Sequence, residues 1–538
     1  MTRAAVGVIA PVIKVNGQEL QPSVLDSLIG MSVRSAFRLP SRARLEFLDD
    51  GFAISAGSTF TLGSAVVISA GEEALFTGEV TGVELDIEHG APNITVIADD
   101  LAYRLTLGNK VRTFAEMTYS DIVSQIGREA GLTVQATATS SQHKWIMQAD
   151  SDFGFLSEIA SRAGYDWWID PSGKLRFHPM FHDTGKSARL EWDPVSPTLQ
   201  HFSVRASALH PQTVKVRGWD AQQVQPLTGD SRTISDTPNA SLVTPFIKPG
   251  SLASRAGTVS GHDMFATQGD GADLATSAAA VAVTSAVTAE GQCTINTNIQ
   301  VGGKVSVSLV GPASGDYWVS EVEHVYGPRG FLTRFVAGER VPTGLVDSLA
   351  APTVSSFRQD TLVIGIVTNM GDGESPKGCI KVKYPTLGDT IESAWARVVS
   401  PGAGATRGFT FLPEINDEVI IGFEAGDLSR PLVLGGLYSG TNAALDYGVA
   451  DGKVGKRQIV SRLGHVIELG DGEQPSEQHI ALTLKGGEHL VRVGKDGLTA
   501  KMPSGQPISI AAGDTKIDVD KQGNITMSGQ KVTIKAAQ

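Results

Sequence analysis

The sequence predicts a mainly β chain of several domains, and three observations carry that reading. Apolar residues alternate with period two through much of the first hundred residues, as half-buried strands require. Sixty glycines in 538 residues exceed the ~7% average and favour many tight turns. From Ile467 onward, apolar residues come in i, i+2 pairs separated by turns containing Gly, Asp and Lys. Length alone implies about three or four domains. With 41% hydrophobic and 19% charged residues, the chain has the composition of packed cores. A net charge of −12 argues against a nucleic-acid partner, whose phosphates need a basic face. Cys293 and Cys379 lie far apart within apparent strands, so buried free thiols are expected rather than a disulfide framework. The apolar start, Met1 to Ala10, is short and ends at Pro11, which does not make a secretory leader. No run reaches the ~18 apolar residues of a membrane helix, so no stable membrane anchoring is expected.

In order along the chain, period-two alternation marks strands at Val12–Val15, Ala43–Phe47, Phe60–Leu62, Ala65–Ile68 and Ala74–Leu85, and this strand-rich first domain ends with Asn93–Leu105. Thr118 to Asp121 offers caps for a short amphipathic helix ending at Gly131, and Ser151-Asp152 caps a second one ending at Gly164. A hairpin follows over Tyr165–Phe177, turning at Pro171-Ser172-Gly173. Val214–Arg217 and Val301–Arg340 read as further strands, and the proline-free, alanine-rich Ala272–Ala289 reads as a helix or a low-complexity linker. Val341–Ser356 is a Pro/Ala/Ser linker. Between Leu362 and Gly440, five short strands with Gly and Pro turns suit an OB-type Greek-key barrel. They are carried by Leu362–Val367, Cys379–Pro385, Ala394–Val399, Phe411–Phe423 and Arg430–Tyr438.

The order of residues in that block, with Pro413, Asp417-Glu418-Val419, Phe423, Gly426-Asp427, Arg430-Pro431, Leu434-Gly435 and Tyr438-Ser439-Gly440, resembles the OB domain of tail-spike proteins. These are the VgrG proteins of type VI secretion, phage baseplate spikes and spikes of extracellular contractile injection systems. The helix-and-hairpin texture of residues 106–185 resembles the hub of the same spikes. There, two related β-barrels with an insert between them form a trimeric torus that imitates a six-subunit tube ring. The resemblance implies a first hub barrel at 1–105, an α/β insert at 106–185 and a second hub barrel with the Ala-rich helix at 186–345. It then implies a linker at 346–360, an OB fold at 361–440, a connector at 441–465 and a triple-stranded β-prism needle at 466–538.

The tail supports the last assignment independently. Strands of about four residues with one apolar face make a thin ribbon without an interior. Three-fold association buries that face and removes open edges, whereas a monomeric β-solenoid is the alternative. The expected trimer core is Ile467, Leu469, Leu482, Leu484, Val491, Val493, Ile508, Ile510, Ile517, Val519, Ile525, Met527, Val532 and Ile534, and Leu498/Ala500 form a further pair.

Catalytic and metal signals are weak. Pro401–Gly408 lacks the Gly-Lys-Ser/Thr ending of a phosphate-binding loop and has no following helix. His178 and His182 stand four apart beside Asp183, but Pro179 and the strand context separate them from a helical metal site. Asp99-Asp100 and Asp417-Glu418 read as turn or surface acids. No catalytic residue, cofactor or metal site is assigned. The family's inserted cell-wall hydrolase is not expected, since about 25 residues, Thr441 to His465, separate barrel from needle. The last histidine, His489, leaves no tip iron motif, and the sequence ends at Ala536-Ala537-Gln538 directly after the last pair. The resemblance therefore implies a structural, non-enzymatic homotrimeric spike that joins an inner tube to a puncturing tip and pierces a target envelope. The alternative is a tailspike enzyme that degrades cell wall or surface polysaccharide. Implied partners are a hexameric inner tube protein, baseplate or hub proteins, a PAAR-type tip protein and effector cargo. Synthesis in the cytoplasm and assembly into a tail-like particle are the expected localisation.

Overall fold

A computed structural model describes residues 10–88, 91–182, 184–195, 197–206, 214–220, 225–231, 268–338, 362–371, 376–388 and 390–535. The chain forms two compact units, Met1–Leu437 and Tyr438–Gln538. The linker expected at 346–360 lies outside the described residues.

The first unit is built on a sheet of 13 strands. Eight of them form one continuous antiparallel series. Its order is Leu199–Ala206, Val287–Thr294, Gly330–Ala337, Gly315–Gly327, Leu28–Ala36, Arg42–Leu48, Ala91–Asp99 and Glu73–Glu88. Period-two alternation gives this sheet an apolar and a polar face. One core gathers Met31, Val33, Leu45, Phe47, Ile68, Ile94 and Val96; the other gathers Leu190, Val305, Tyr317, Val319, Val322 and Phe335. The two expected hub barrels are thus two halves of one sheet, joined where Gly315–Gly327 pairs with Leu28–Ala36. On the polar face Arg34 binds Glu321 at 2.8 Å, and Arg42 binds Asp99 at 2.8 Å.

The insert follows its local signals. Helix Tyr119–Glu129 starts at a capping box in which Thr118 Oγ1 accepts from the Asp121 amide, and Asp121 accepts from the Thr118 amide. Helix Asp152–Ala163 is capped by Ser151 and ends at Gly164, whose φ of 72° suits glycine. Both helices pack Ile122, Ile126, Phe155 and Ile159 against Trp167 and Phe177 of the hairpin. The paired strands Asn109–Thr118 and Gln142–Ser151 place Met147, Trp145, Val111 and Ala149 against the OB core. That contact joins the insert to the barrel.

Three expectations change here. Phe60–Leu62 forms no strand but belongs to the loop before Ala65–Ala70, from which Phe60 packs into the first core. Val214–Arg217 falls outside the hub sheet: among the described residues, Lys215–Asp220 pairs with Gln225–Asp230 alone, and Val214 and Val216 pack on Ala275 and Ala279 of the Ala-rich helix. That helix runs Gln268–Ala286 and stops before residue 289, because the β-branched Val287-Thr288 opens a strand paired on both sides.

The OB barrel closes in the order Val363–Asn369, Cys379–Lys383, Ala396–Val398, Pro431–Gly436, Glu418–Phe423. Its parallel pair joins Ala396–Val398 to Pro431–Gly436, and its core holds Val367, Ile380, Val382, Tyr384, Val419, Ile421 and Val433. Pro401–Gly408 forms a small hairpin, Ala403–Gly404 with Arg407–Gly408. Cys293 and Cys379 are buried free thiols.

The second unit holds an antiparallel sheet of five strands, Lys456–Val460, Val466–Asp471, Gln478–Thr483, Leu490–Gly494 and Gly497–Lys501. A separate sheet of three strands follows: Ile508–Ala512, Thr515–Val519 and Ile525–Ser528.

Candidate assembly interface

In an antiparallel sheet, residues directly opposite one another share a face, so register decides which apolar side chains meet. In the five-stranded sheet one row reads Ile459, Ile467, Leu482, Val491, Ala500. The adjacent row reads Arg457, Leu469, Ile480, Val493, Leu498. The three-stranded sheet repeats the pattern with Ile510, Ile517, Met527 and with Ile508, Val519, Ile525. These rows form an apolar face that the single chain leaves open: Ile480 is 55% exposed, Val493 52% and Leu498 72%. Large apolar side chains scattered singly over a surface need no partner, but contiguous rows mark an interaction face.

The opposite face is polar, and most of its groups bind their own chain. Glu468 accepts from Gln458 Nε2 at 2.5 Å and lies 2.9 Å from His479 Nε2. Gln458, then His479, holds the Glu468 carboxyl below its ordinary value, outweighing the opposing effect of burial. Gly470 sits against the His479 ring and the Glu477 carbonyl, where a Cβ would collide. Arg492 Nη2 donates to the Ser476 carbonyl at 2.6 Å. Gln458, Glu468 and His479 are thus tied to their own chain, whereas the buried Arg492 Nε has no hydrogen-bond partner among the described residues and the apolar rows have no cover.

The structure sorts the expected core residues. Ile467, Leu469, Leu482, Val491, Val493, Ile508, Ile510, Ile517, Val519, Ile525 and Met527 occupy the rows. Leu484 does not: strand Gln478–Thr483 ends before it, and its amide donates to the His489 carbonyl across a turn. Val532 and Ile534 lie past the last paired strand and are exposed. Ile459 and Ile480 were missed. Register supplies them, since Ile480 stands opposite Leu469 and Ile459 opposite Ile467. His178 and His182 stack face to face at 4.3 Å, with the Thr137 hydroxyl 2.7 Å from His178 Nδ1, so the rings do not converge on a common point. Burial, with His182 adding to it, lowers the His178 pKa to about 4. Asp183 lies outside the described residues.

Two family models match the chain: the type VI secretion system/phage-baseplate injector OB domain over residues 363–438, and the Alg8 N-terminal domain over residues 5–327. The actin cross-linking toxin VgrG1 of Vibrio cholerae is 36% identical over 69 residues, 12% of this chain and 6% of its own. The type VI secretion system spike protein VgrG2a of Pseudomonas aeruginosa is 35% identical over 81 residues, 14% of this chain and 10% of its own. The chain therefore spans a tenth or less of the length of these curated relatives. Among solved structures, a chain of the Francisella PdpA-VgrG complex superposes with a TM-score of 0.51 at 9% identity, covering 92% of this chain and 80% of that one. That likeness is one of fold.

Proposed function

The chain belongs to the Alg8 N-terminal domain family over residues 5–327, and from the injector OB domain matched over residues 363–438 we propose that it is the homotrimeric, non-enzymatic spike of a contractile injection system. In this reading it joins an inner tube to a puncturing tip and crosses the target envelope when the system contracts. The observation that carries it is the pair of open apolar rows in the second unit. Two copies face to face would bury the rows yet leave the edge strands Lys456–Val460 and Gly497–Lys501 open; three copies around an axis close a prism without edges. Moving the eight partly exposed aliphatic side chains of these two rows out of water stabilises the assembly by on the order of 10 kcal/mol per chain before association entropy is charged against it.

The partners that fit are a hexameric tube protein and baseplate proteins at the hub, and a PAAR-type tip protein with effector cargo at the needle. The matched OB domain, whose description names secretion and baseplate injectors, supports the system assignment. Sedimentation equilibrium of the full chain at micromolar concentration tests the oligomeric state. A single species of three chain masses is expected, and a stable folded monomer would rule the reading out.

A further inference from the structure

The loop that carries Gly426-Asp427 and Arg430-Pro431 ties the OB barrel to the rest of the first unit. Glu424 accepts from Arg430 Nε at 3.0 Å and from Arg397 Nη2 at 3.4 Å. Arg430 Nη2 in turn donates to the Trp219 carbonyl at 3.1 Å, in the hairpin whose Val216 packs on the Ala-rich helix. Asp427 is buried, and its Oδ1 accepts from the Ser429 amide at 2.9 Å. Its charge acts on two groups of the insert, Tyr119 and Arg162, and Asp270 of the Ala-rich helix acts on Tyr119 as well. Three parts of the unit therefore meet in one cluster of charges.

His143 stands in that cluster. It belongs to strand Gln142–Ser151, which also carries Trp145, Met147 and Ala149 onto the OB core. Its ring lies 4.1 Å from that of Tyr119, the first residue of helix Tyr119–Glu129. Its Nε2 is buried without a hydrogen-bond partner among the described residues. A neutral imidazole can leave one nitrogen as a bare acceptor, whereas an imidazolium donates from both and would bury an unmatched charge there. Two charges bear on the ring. Arg162, which binds Glu158 at 3.0 Å, repels a second cation, and Asp270 attracts one. Burial pushes the Tyr119 hydroxyl up to about 12, so Tyr119 stays uncharged and offers no counter-ion. Burial likewise holds His143 below its ordinary 6.5 against the pull of Asp270, and Arg162 adds to the lowering.

We propose that His143 is an acid-sensitive latch between the insert and the OB barrel. Its neutral ring closes the end of the hairpin that carries the barrel, and its protonation beside Arg162 opens that joint while the hub sheet stays folded. The sign follows from linkage. A histidine lowered by folding takes up its proton more readily in the open state, so closure weakens as pH falls from 6.5 through the folded value and levels off below it. The latch lies within one copy and holds whatever the oligomeric state.

Hydrogen exchange of the full chain tests it, at about pH 7.5 and about pH 5, either side of the ordinary histidine value and above those of Asp and Glu. His178 and His324, both lowered by burial to about 4, stay largely neutral in this window. After correction for intrinsic exchange, protection of Gln142–Ser151 and Cys379–Lys383 is expected to fall by up to ~10-fold per pH unit, the limit for one linked proton. Protection of Leu28–Ala36 and Arg42–Leu48 in the hub sheet should hold. His143→Phe keeps a ring against Tyr119 and takes no proton; His143→Gln serves if that variant does not fold at neutral pH. Either is expected to retain at pH 5 the protection it has at pH 7.5. A parent whose joint is equally protected at both values overturns the latch, as does a variant that loses protection as the parent does. If neither variant folds, the parent decides: loss confined to the joint supports the latch, and loss shared by the hub sheet overturns it.

Discussion

At the scale of single residues, the first unit is held by side chains that finish backbone hydrogen bonding or bridge modules. Asp49 is fully buried and accepts from the Ile54 amide at 2.7 Å and the Ser55 amide at 3.1 Å, closing the loop after Arg42–Leu48. Burial raises its pKa, but the Ser55 side chain and the two amides outweigh that and leave the carboxyl below its ordinary 3.8. A carboxylate with a lowered folded pKa adds stability above its unfolded value and loses it as pH falls through the folded one. Asp49→Ala, which leaves two amides without acceptors, is expected to cost about 1–3 kcal/mol. The variant should also lose less stability than the parent as pH drops below 3.8, and urea midpoints across pH check both effects. Met147 acts differently, filling the OB core from the insert with no exposure. Met147→Ala is expected to cost about 2–5 kcal/mol. Hydrogen exchange should then quicken in Cys379–Lys383 and Glu418–Phe423 as well as in the insert; acceleration confined to the insert would show that the barrel does not depend on this side chain.

At the scale of elements, short-range chemistry was legible in the sequence and long-range pairing was not. The two insert helices are capped by Thr118 and Ser151, whose side chains each accept from the amide three residues on, so local sequence settles them. The OB strands were legible because Gly and Pro punctuate them. The assignment of Val214–Arg217 failed because alternation shows that a strand exists but not which strand it joins, and here the Ala-rich helix takes its apolar side. Ile480 was missed for a related reason. Counting i, i+2 from Leu482 leads equally to Leu484 or Ile480, and only the register with Leu469 selects Ile480. The same registers make a prediction. Ile517 lies between Ile510 and Met527 in the middle strand of its sheet, so Ile517→Asp puts a charge at the centre of a row that association would bury. Loss of the trimer by sedimentation is expected, with the OB barrel still folded by hydrogen exchange. On the other face, Glu468, held below its ordinary 4.5 by Gln458 and His479, contributes stability above that pH and loses it as pH falls through its folded value. Glu468→Gln should flatten the fall of melting temperature below pH 4.5, and an unchanged slope would place the acid sensitivity elsewhere.

At the scale of the whole molecule, the two cores of the hub sheet bear on how a chain proposed to act in threes would meet a partner acting in sixes. Each copy carries two half-sheets, one around Met31, Leu45 and Val96, the other around Tyr317, Val319 and Phe335, joined into a single sheet with a common apolar face. Three copies in a closed ring would present six such halves in alternation, which removes the mismatch between a three-fold spike and a six-fold ring without an adaptor. The two halves differ in sequence, so a shared contact with a six-fold ring would have to rest on the backbone. Contact through main-chain hydrogen bonds tolerates that difference better than contact through particular side chains. From this we expect the trimer to lower the concentration at which its cognate tube protein polymerises, with one spike at one end of each tube by electron microscopy. Alanine changes at single polar-face positions such as Arg44 or Glu84 should alter tube number little. Ile517→Asp should abolish the effect wherever it abolishes the trimer, because isolated copies offer only two halves. Tubes that form as readily and as numerously without the chain would exclude this role and leave the trimer to be explained by the needle alone.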